Sequence, residues 1–492
     1  MTVPPVNTRA LSFLSSVAGD SLSKHLQKIL PALLVALSTA IDRPTEKQEL
    51  EYCQSVILSV SDEAGARAIV DHLLETARNE STKIRRASIM LLYAYCSQSK
   101  VVLSSNVPQL LRGLILLSTD SNEQVLNLSW EALSAITKSL DPKEQMEYIN
   151  EVRNAVRFAS SDLKSSSHGN QVLMPGFCLS KGIAHILPIF REAILNGSPD
   201  QKEQAAHGLS EVIELTSAEA LKPSVVNIAG PLIRILGDRF IWSVKVAVLD
   251  TLSLLLSKVG VLLRPFIPQL QQTFIKALND ANRNVRLRAA NALSHLIIVH
   301  TRCDPVFSDL HNAIKSSSND DTSVRETMLH ALRLSITPAG DKMSDNVRKQ
   351  IVTTITSLLG LSDDLCRTTA AACLGVICAW LPNDELNAVA KDHLLDDDLT
   401  IDWTLRHGRS IALRVSLKEV PNSMLKPEWT DKIVKALVGF ITSDRIPIVI
   451  SGIKGTAYFI KEYLSRKEVI PQNLLTAFAR VSIKWNLHKK II

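Results

Sequence analysis

Six cationic residues recur at nearly even spacing through the second half of this chain: Lys202, Lys245, Arg286, Arg325, Arg367 and Arg406, separated by 43, 41, 39, 42 and 39 residues. Residues 264–299 show what surrounds each one. Ile267, Leu270, Phe274 and Leu278 fall three or four apart, which is one face of a helix. Asn279 to Asn282 then break the pattern and offer side-chain caps. Val285, Ala289, Leu293 and Leu296 mark the face of a second helix. Upstream, Ile84-Arg85 and Val125-Leu126 repeat the spacing at 41 residues. A helix pair that is apolar on facing and flanking sides cannot bury that surface alone. It has to stack on further copies of itself.

A period of about forty residues with two helices per unit is the HEAT signature. The expected fold is all-α: a right-handed α-solenoid of about 11–12 helical hairpins. A length of 492 residues would otherwise suggest about three ordinary domains, but a stack grows along one axis without a single core. Aromatic residues make up 5% of a chain that is 46% hydrophobic, so Ala, Leu, Ile and Val must fill thin layers. We divide the chain into HEAT repeats over 1–140, an irregular repeat over 141–200, regular repeats over 201–460 and an incomplete unit over 461–492. Residues 1–60 read as one hairpin and its approach, with helical periodicity over Leu11 to Ala18 and His25 to Leu37, a turn at Asp42-Arg43-Pro44 and a further helix over Gln48 to Val60. Ser160 to Asn170 reads as a polar, small-residue loop. Near the end, Leu474, Phe478 and Val481 begin a first helix, and Lys489-Lys490-Ile491-Ile492 stops before a second. A terminal repeat needs a polar outer face, so the expectation is a piece of a longer solenoid or a truncated one.

A net charge of +6 and a pI near 8.8 permit an anionic partner without demanding one. The seven cysteines are odd in number with no CxxC pair, which predicts free thiols and a reducing, cytoplasmic setting. No basic-then-apolar signal opens the chain. No apolar run is read as reaching about 18 residues, so no membrane span is expected. There is no Gly-x-Ser-x-Gly, no phosphate-binding Gly-Lys-Ser/Thr loop, no HExxH and no dinucleotide fingerprint. An enzyme is the least expected reading, with no cofactor, metal or small-molecule substrate. His407-Gly408-Arg409 reads as a helix-opening segment, and Cys373 and Cys378 as buried thiols. Asp396-Asp397-Asp398 lacks the glycine turn and spaced ligands of a cation site, and reads as a solvated loop.

The recurring cations read as a structural ladder. Each can reach a backbone carbonyl of the preceding turn, such as Asp280 for Arg286 or Asn319 for Arg325. Cations outside the ladder are therefore the candidates for contact with a partner. Asp42-Arg43, Asp238-Arg239 and Asp444-Arg445 each put an arginine beside a turn acid. Arg239 is followed by Phe240 and Trp242, the composition of an interface hot spot. The competing reading is that Phe240 and Trp242 cover the hairpin end. Arg283, Arg286 and Arg288 with Lys276 could meet phosphate, but no aromatics interleave to stack bases, so a solvated face is preferred.

Several segments resemble one known family. They are Pro4 to Arg9 with Phe13 to Gly19, Gln201 to Ala206 with Glu211 to Leu215, Gly230 to Phe240, Arg406 to Ser410, and Ser443 to Ile448. Together they are similar to the C-terminal HEAT-repeat region of the general control translational activators, over about residues 1–460. After about 473 the chain departs from that pattern. The resemblance implies a non-enzymatic scaffold that docks the RWD domain of the initiation factor two alpha kinase, or other RWD-domain proteins. It also implies an association with stalled or collided ribosomes under amino-acid starvation. It further implies an arginine contact to the kinase, for which Arg239 is the position favoured and Arg234 the second. Two alternatives stand beside it. One is a scaffold binding ribosomal RNA directly through basic turns. The other is a transport-receptor-like carrier, for which concave acidic and aromatic ladders are not evident.

Overall fold

A computed structural model describes residues 6–99, 104–166, 172–237, 240–316, 322–395 and 400–485. Among the described residues there are helices and connections and no strand. The chain divides into two compact units, Met1–Leu263 and Arg264–Ile492. Both are stacks of helix pairs, as an all-α HEAT array requires.

Side-chain caps start helices of both kinds, the first helix Glu63–Thr76 and several second helices. Asp62 accepts from the Gly65 amide at 2.9 Å, and Asp363 from the Cys366 amide at 2.7 Å. Asn122 and Asn282 cap in the same way. Ser198 and Gln201 form a reciprocal capping box. In the first unit, Thr82–Gln98 packs on Glu123–Ser139, and Pro199–Leu215 on Trp242–Val259. In the second, Arg283–Val299, Thr322–Ala339, Asp364–Ile377, Trp403–Glu419 and Ile446–Ser465 pack in series. The layers between them are filled by Leu, Ile, Val and Ala, and the bulkiest fully buried side chain is a charged one, Arg367.

The helices Thr8–Ala18, Leu26–Ala40 and Glu46–Leu58 stand where the periodicity over Leu11 to Ala18, His25 to Leu37 and Gln48 to Val60 puts them. Two other expectations are corrected. The segment from Ser160 continues the helix Ile149–Ser166 instead of opening a loop. The Ser160 and Ser161 hydroxyls donate to the carbonyls of Arg157 and Phe158, at 3.2 and 2.8 Å, which lets serines sit in a helix. Residues 167–170 of the expected loop lie outside the described residues. The second correction concerns the longest apolar stretch. By length and composition Trp242–Ala277 is long and apolar enough to cross a membrane. It is broken by the 3-10 segment Gly260–Phe266, and its first helix buries Val244, Leu249, Leu252 and Leu255 in the stack. A second helix covered on several sides becomes apolar nearly all round, which is what the composition records.

The irregular repeat is tied to its neighbours. The Met174 amide donates to the Leu215 carbonyl at 2.9 Å, and Trp130 Nε1 to the Gly176 carbonyl at 2.9 Å. Arg153 and Arg157 both pair with Glu211, at 2.9 and 2.8 Å. The final described helix is Gln472–Trp485, and Lys489 to Ile492 lie outside the described residues.

Candidate partner-binding site

The ladder cations hold one slot, four residues past the cap of each second helix. Arg286 donates from one terminal nitrogen to the carbonyls of Asp280 and Ala281, at 2.9 and 3.2 Å. Arg367 does the same to Leu361 and Ser362, at 2.6 and 3.1 Å. Lys202 Nζ donates to Leu195 and Gly197, at 3.1 and 2.6 Å. Lys245 and Arg325 are buried in the same slot. Asn319 lies outside the described residues. At Lys202, Arg286 and Arg367 buried charge is tolerable because the cation binds carbonyls at the preceding turn that lack a helical partner. Arg406 departs from the pattern: it is half-buried and donates forward to the Gly439 carbonyl at 2.8 Å.

The ladder also links repeats, which the spacing did not reveal. Arg286 Nε donates to Thr327 Oγ1 at 2.9 Å, and Arg85 Nε to Asp120 Oδ2 at 2.8 Å. Arg367 reaches His407. His407 is therefore buried next to Arg367 rather than displayed, and Gly408 lies so close to Leu359 that a Cβ there would sit 2.3 Å from its carbonyl oxygen. Thr327 and His407 lie 41 and 40 residues downstream of Arg286 and Arg367, a spacing that the period alone does not single out. All seven cysteines are free, and burial pushes the Cys373 and Cys378 thiols up to about 12 and about 11. Asp396, Asp397 and Asp398 lie outside the described residues.

The Arg234 to Trp242 segment behaves differently from the ladder. Asp238 and Arg239 lie outside the described residues. The helix Val225–Ile235 buries Ile228, Leu232 and Ile235 and leaves Arg234 exposed. Arg234 borders a groove of about 300 Å³ with Arg191, Val226, Asn227 and Pro231. Phe240 is half-buried, and Lys202 Nζ stands 5.9 Å from its ring centroid. Trp242, the first residue of the next helix, is 50% exposed, as is Ile241 beside it. Phe240 thus faces a ladder cation, whereas Trp242 presents its ring to solvent. At the comparable turn of the second unit, the exposed Arg445 lies 5.6 Å over the Trp403 ring. Asp42, at the first such turn, pairs with Arg86 at 3.0 Å.

Family models described as stalled ribosome sensor GCN1-like HEAT repeats match residues 1–181 and 304–489, and a HEAT-like repeat model matches 242–296. The chain belongs to the GCN1-like HEAT-repeat family. It is 49% identical over 465 residues to the stalled ribosome sensor GCN1 of Mus musculus, covering 94% of this chain and 17% of that protein. It is 36% identical over 463 residues to Protein ILITYHIA of Arabidopsis thaliana, covering 94% and 17%. It is 32% identical over 461 residues to the eIF-2-alpha kinase activator GCN1 of Saccharomyces cerevisiae, covering 93% and 17%. The chain therefore spans about a sixth of the length of these relatives. Among solved structures, yeast importin-beta is similar with a TM-score of 0.49 at 13% identity, over 97% of this chain and 59% of that one.

Proposed function

We propose that this chain is a non-enzymatic, cytoplasmic scaffold segment that captures the RWD domain of the initiation factor two alpha kinase. The protein it belongs to would do so while associated with stalled or collided ribosomes. Other RWD-domain proteins are candidate occupants of the same surface, and no membrane or small-molecule substrate enters the reading. The names of its relatives, stalled ribosome sensor and eIF-2-alpha kinase activator, support it. The observation that carries it is the half-exposed Trp242 at the start of a rigid helix, in a segment that also holds the exposed Arg234 and its groove. Aromatic and arginine side chains held on rigid elements are the usual anchors of an interface. Arg239 belongs to the same segment.

Capture acts by effective concentration. Holding the kinase where deacylated tRNA accumulates under amino-acid starvation raises its encounter rate without any chemistry from the scaffold. The test is a pull-down of the RWD domain by the wild-type chain and by Arg239→Ala and Trp242→Ala. The wild type should retain the domain, and Trp242→Ala should weaken it by about 2 kcal/mol, the scale of a hot spot. Undiminished binding by Arg239→Ala would take that arginine out of the interface. No retention by the wild type would defeat the reading for this segment.

A further inference from the structure

The unit Arg264–Ile492 carries a second surface feature, distant in sequence from the turn just described. A groove of about 540 Å³ is rimmed by Arg333 of Thr322–Ala339, Arg414 and Lys418 of Trp403–Glu419, and Lys454 of Ile446–Ser465. Val415, Ala457 and Tyr458 line it between the cations. Arg333 and Arg414 occupy the same position, the twelfth residue of their helices. The helix Asp364–Ile377, packed between those of Arg333 and Arg414, has Gly375 as its own twelfth residue and so puts no side chain into the groove. A Cβ on Gly375 would lie 2.5 Å from Val415 Cβ, and one on Gly455 would lie 3.6 Å from Arg414 Cβ.

The charges on this rim are not balanced. Lys418 pairs with Glu419 at 2.7 Å, and Glu419 is the only carboxylate among the lining residues. Among the described residues, the side chains of Arg333, Arg414 and Lys454 have no hydrogen bond or ion pair. Burial holds the Arg414 guanidinium below its usual pKa; Tyr458 opposes that shift, and the like charge of Arg333 adds to it. A half-buried cation facing another cation costs electrostatic free energy that an opposite charge would relieve. The ladder makes the contrast plain, since Lys202, Arg286 and Arg367 all have their carbonyls.

We propose that this groove binds an acidic peptide segment of a partner protein, with carboxylates on Arg333, Arg414 and Lys454 and apolar side chains against Val415, Ala457 and Tyr458. Guanidinium forks match carboxylates in two-point hydrogen bonding. The apolar floor favours a peptide over a nucleic acid. A phosphate backbone has nothing apolar to place there, and a stacking platform for bases needs a row of aromatics where this groove has Tyr458 alone. The proposal stands apart from kinase capture, because it uses a different unit and different residues.

The test is fluorescence anisotropy with the full chain and a labelled dodecapeptide alternating glutamate with leucine and alanine. Its glutamine counterpart and an oligouridylate of equal charge are measured alongside. The glutamate peptide should bind, and the glutamine peptide should bind about tenfold or more weakly. Arg414→Gln and Arg333→Gln should each weaken the glutamate peptide by about fivefold to tenfold. Lys454→Gln, at an exposed side chain, should weaken it too and carries the test should an arginine variant misfold. Arg234→Gln, in the other unit, should leave it unchanged. The proposal is overturned if the glutamate peptide does not bind, or if binding is indifferent to all three rim substitutions. Tighter binding of oligouridylate with the same rim dependence would also overturn it, by assigning the groove to nucleic acid.

Discussion

Arg367 Nε donates to His407 Nδ1 across 3.3 Å, joining a cation of one repeat to the second helix of the next. A terminal nitrogen of the same guanidinium lies 3.2 Å from that ring atom, and Asp364 pairs with the same terminal nitrogen. The arginine carbon stands 5.3 Å over the Trp403 ring. An imidazole nitrogen that accepts from arginine carries no proton, so the His407 proton sits on Nε2. Asp364 Oδ1 lies 3.8 Å from the same ring atom, which would count as an ion pair only for a protonated ring. Burial, then the Arg367 charge, holds the His407 pKa below its usual value and keeps the ring neutral.

Arg367→Met should lower stability by about 3 kcal/mol, because it strips two backbone carbonyls and His407 of their donor inside the core. Arg367→Lys should recover part of that, since Lys202 serves two carbonyls in the same slot as a lysine. Arg406→Met, losing one bond at a half-buried side chain, should cost about 1 kcal/mol. Urea denaturation midpoints of the three variants would rank them in that order.

Acid should destabilise the chain earlier than carboxylates alone would. Burial is the leading cause holding His72, His185, His295, His300, His311, His330, His393 and His407 below the ordinary imidazole pKa. The unfolded chain takes up those protons near pH ~6.5, whereas the folded chain resists them. Stability is therefore full above about pH 6.5 and falls as the pH drops towards the lower folded values. The lowered carboxyls of Asp20, Asp42 and Asp402 add a further loss only below about pH 4. Melting temperatures between pH 8 and 5 should show a decline beginning in the histidine range. A flat profile down to pH 5 would contradict it.

Two glycine substitutions should act in opposite directions. Gly408→Ala would press a Cβ to 2.3 Å from the Leu359 carbonyl oxygen, forcing adjacent repeats apart at a cost of about 2 kcal/mol. Gly230→Ala lies in a helix with nothing within 4 Å of the new carbon, and should stabilise by about 0.5–1 kcal/mol. Thermal melts of the two proteins would separate packing from backbone entropy.

The stack was legible in the sequence because layer spacing fixes period: Leu270, Phe274, Val285 and Leu293 are all fully buried. The backward half of the ladder was legible too, since a cation four residues past a cap can reach the turn before it. The forward half was not. Thr327 and His407 are about forty residues from the arginines they touch, and sequence does not say which polar residue of the next layer faces the slot. Arg406 shows the limit of slot identity, since a long side chain in the same register turned to Gly439 instead. The groove at Arg414 was hidden for a related reason. Its cations come from three separate second helices, and only the stacking of those helices brings them to one groove. The helix through Ser160 was missed because serine reads as a loop former until its hydroxyl returns to the backbone.

The scaffold account is tested most directly by hydrogen–deuterium exchange of the chain with and without the RWD domain of the kinase. It predicts slowed exchange across residues 225–245, around Arg234 and Trp242, with the Arg414 groove unchanged. Unaltered exchange throughout that segment at saturating RWD domain would contradict it.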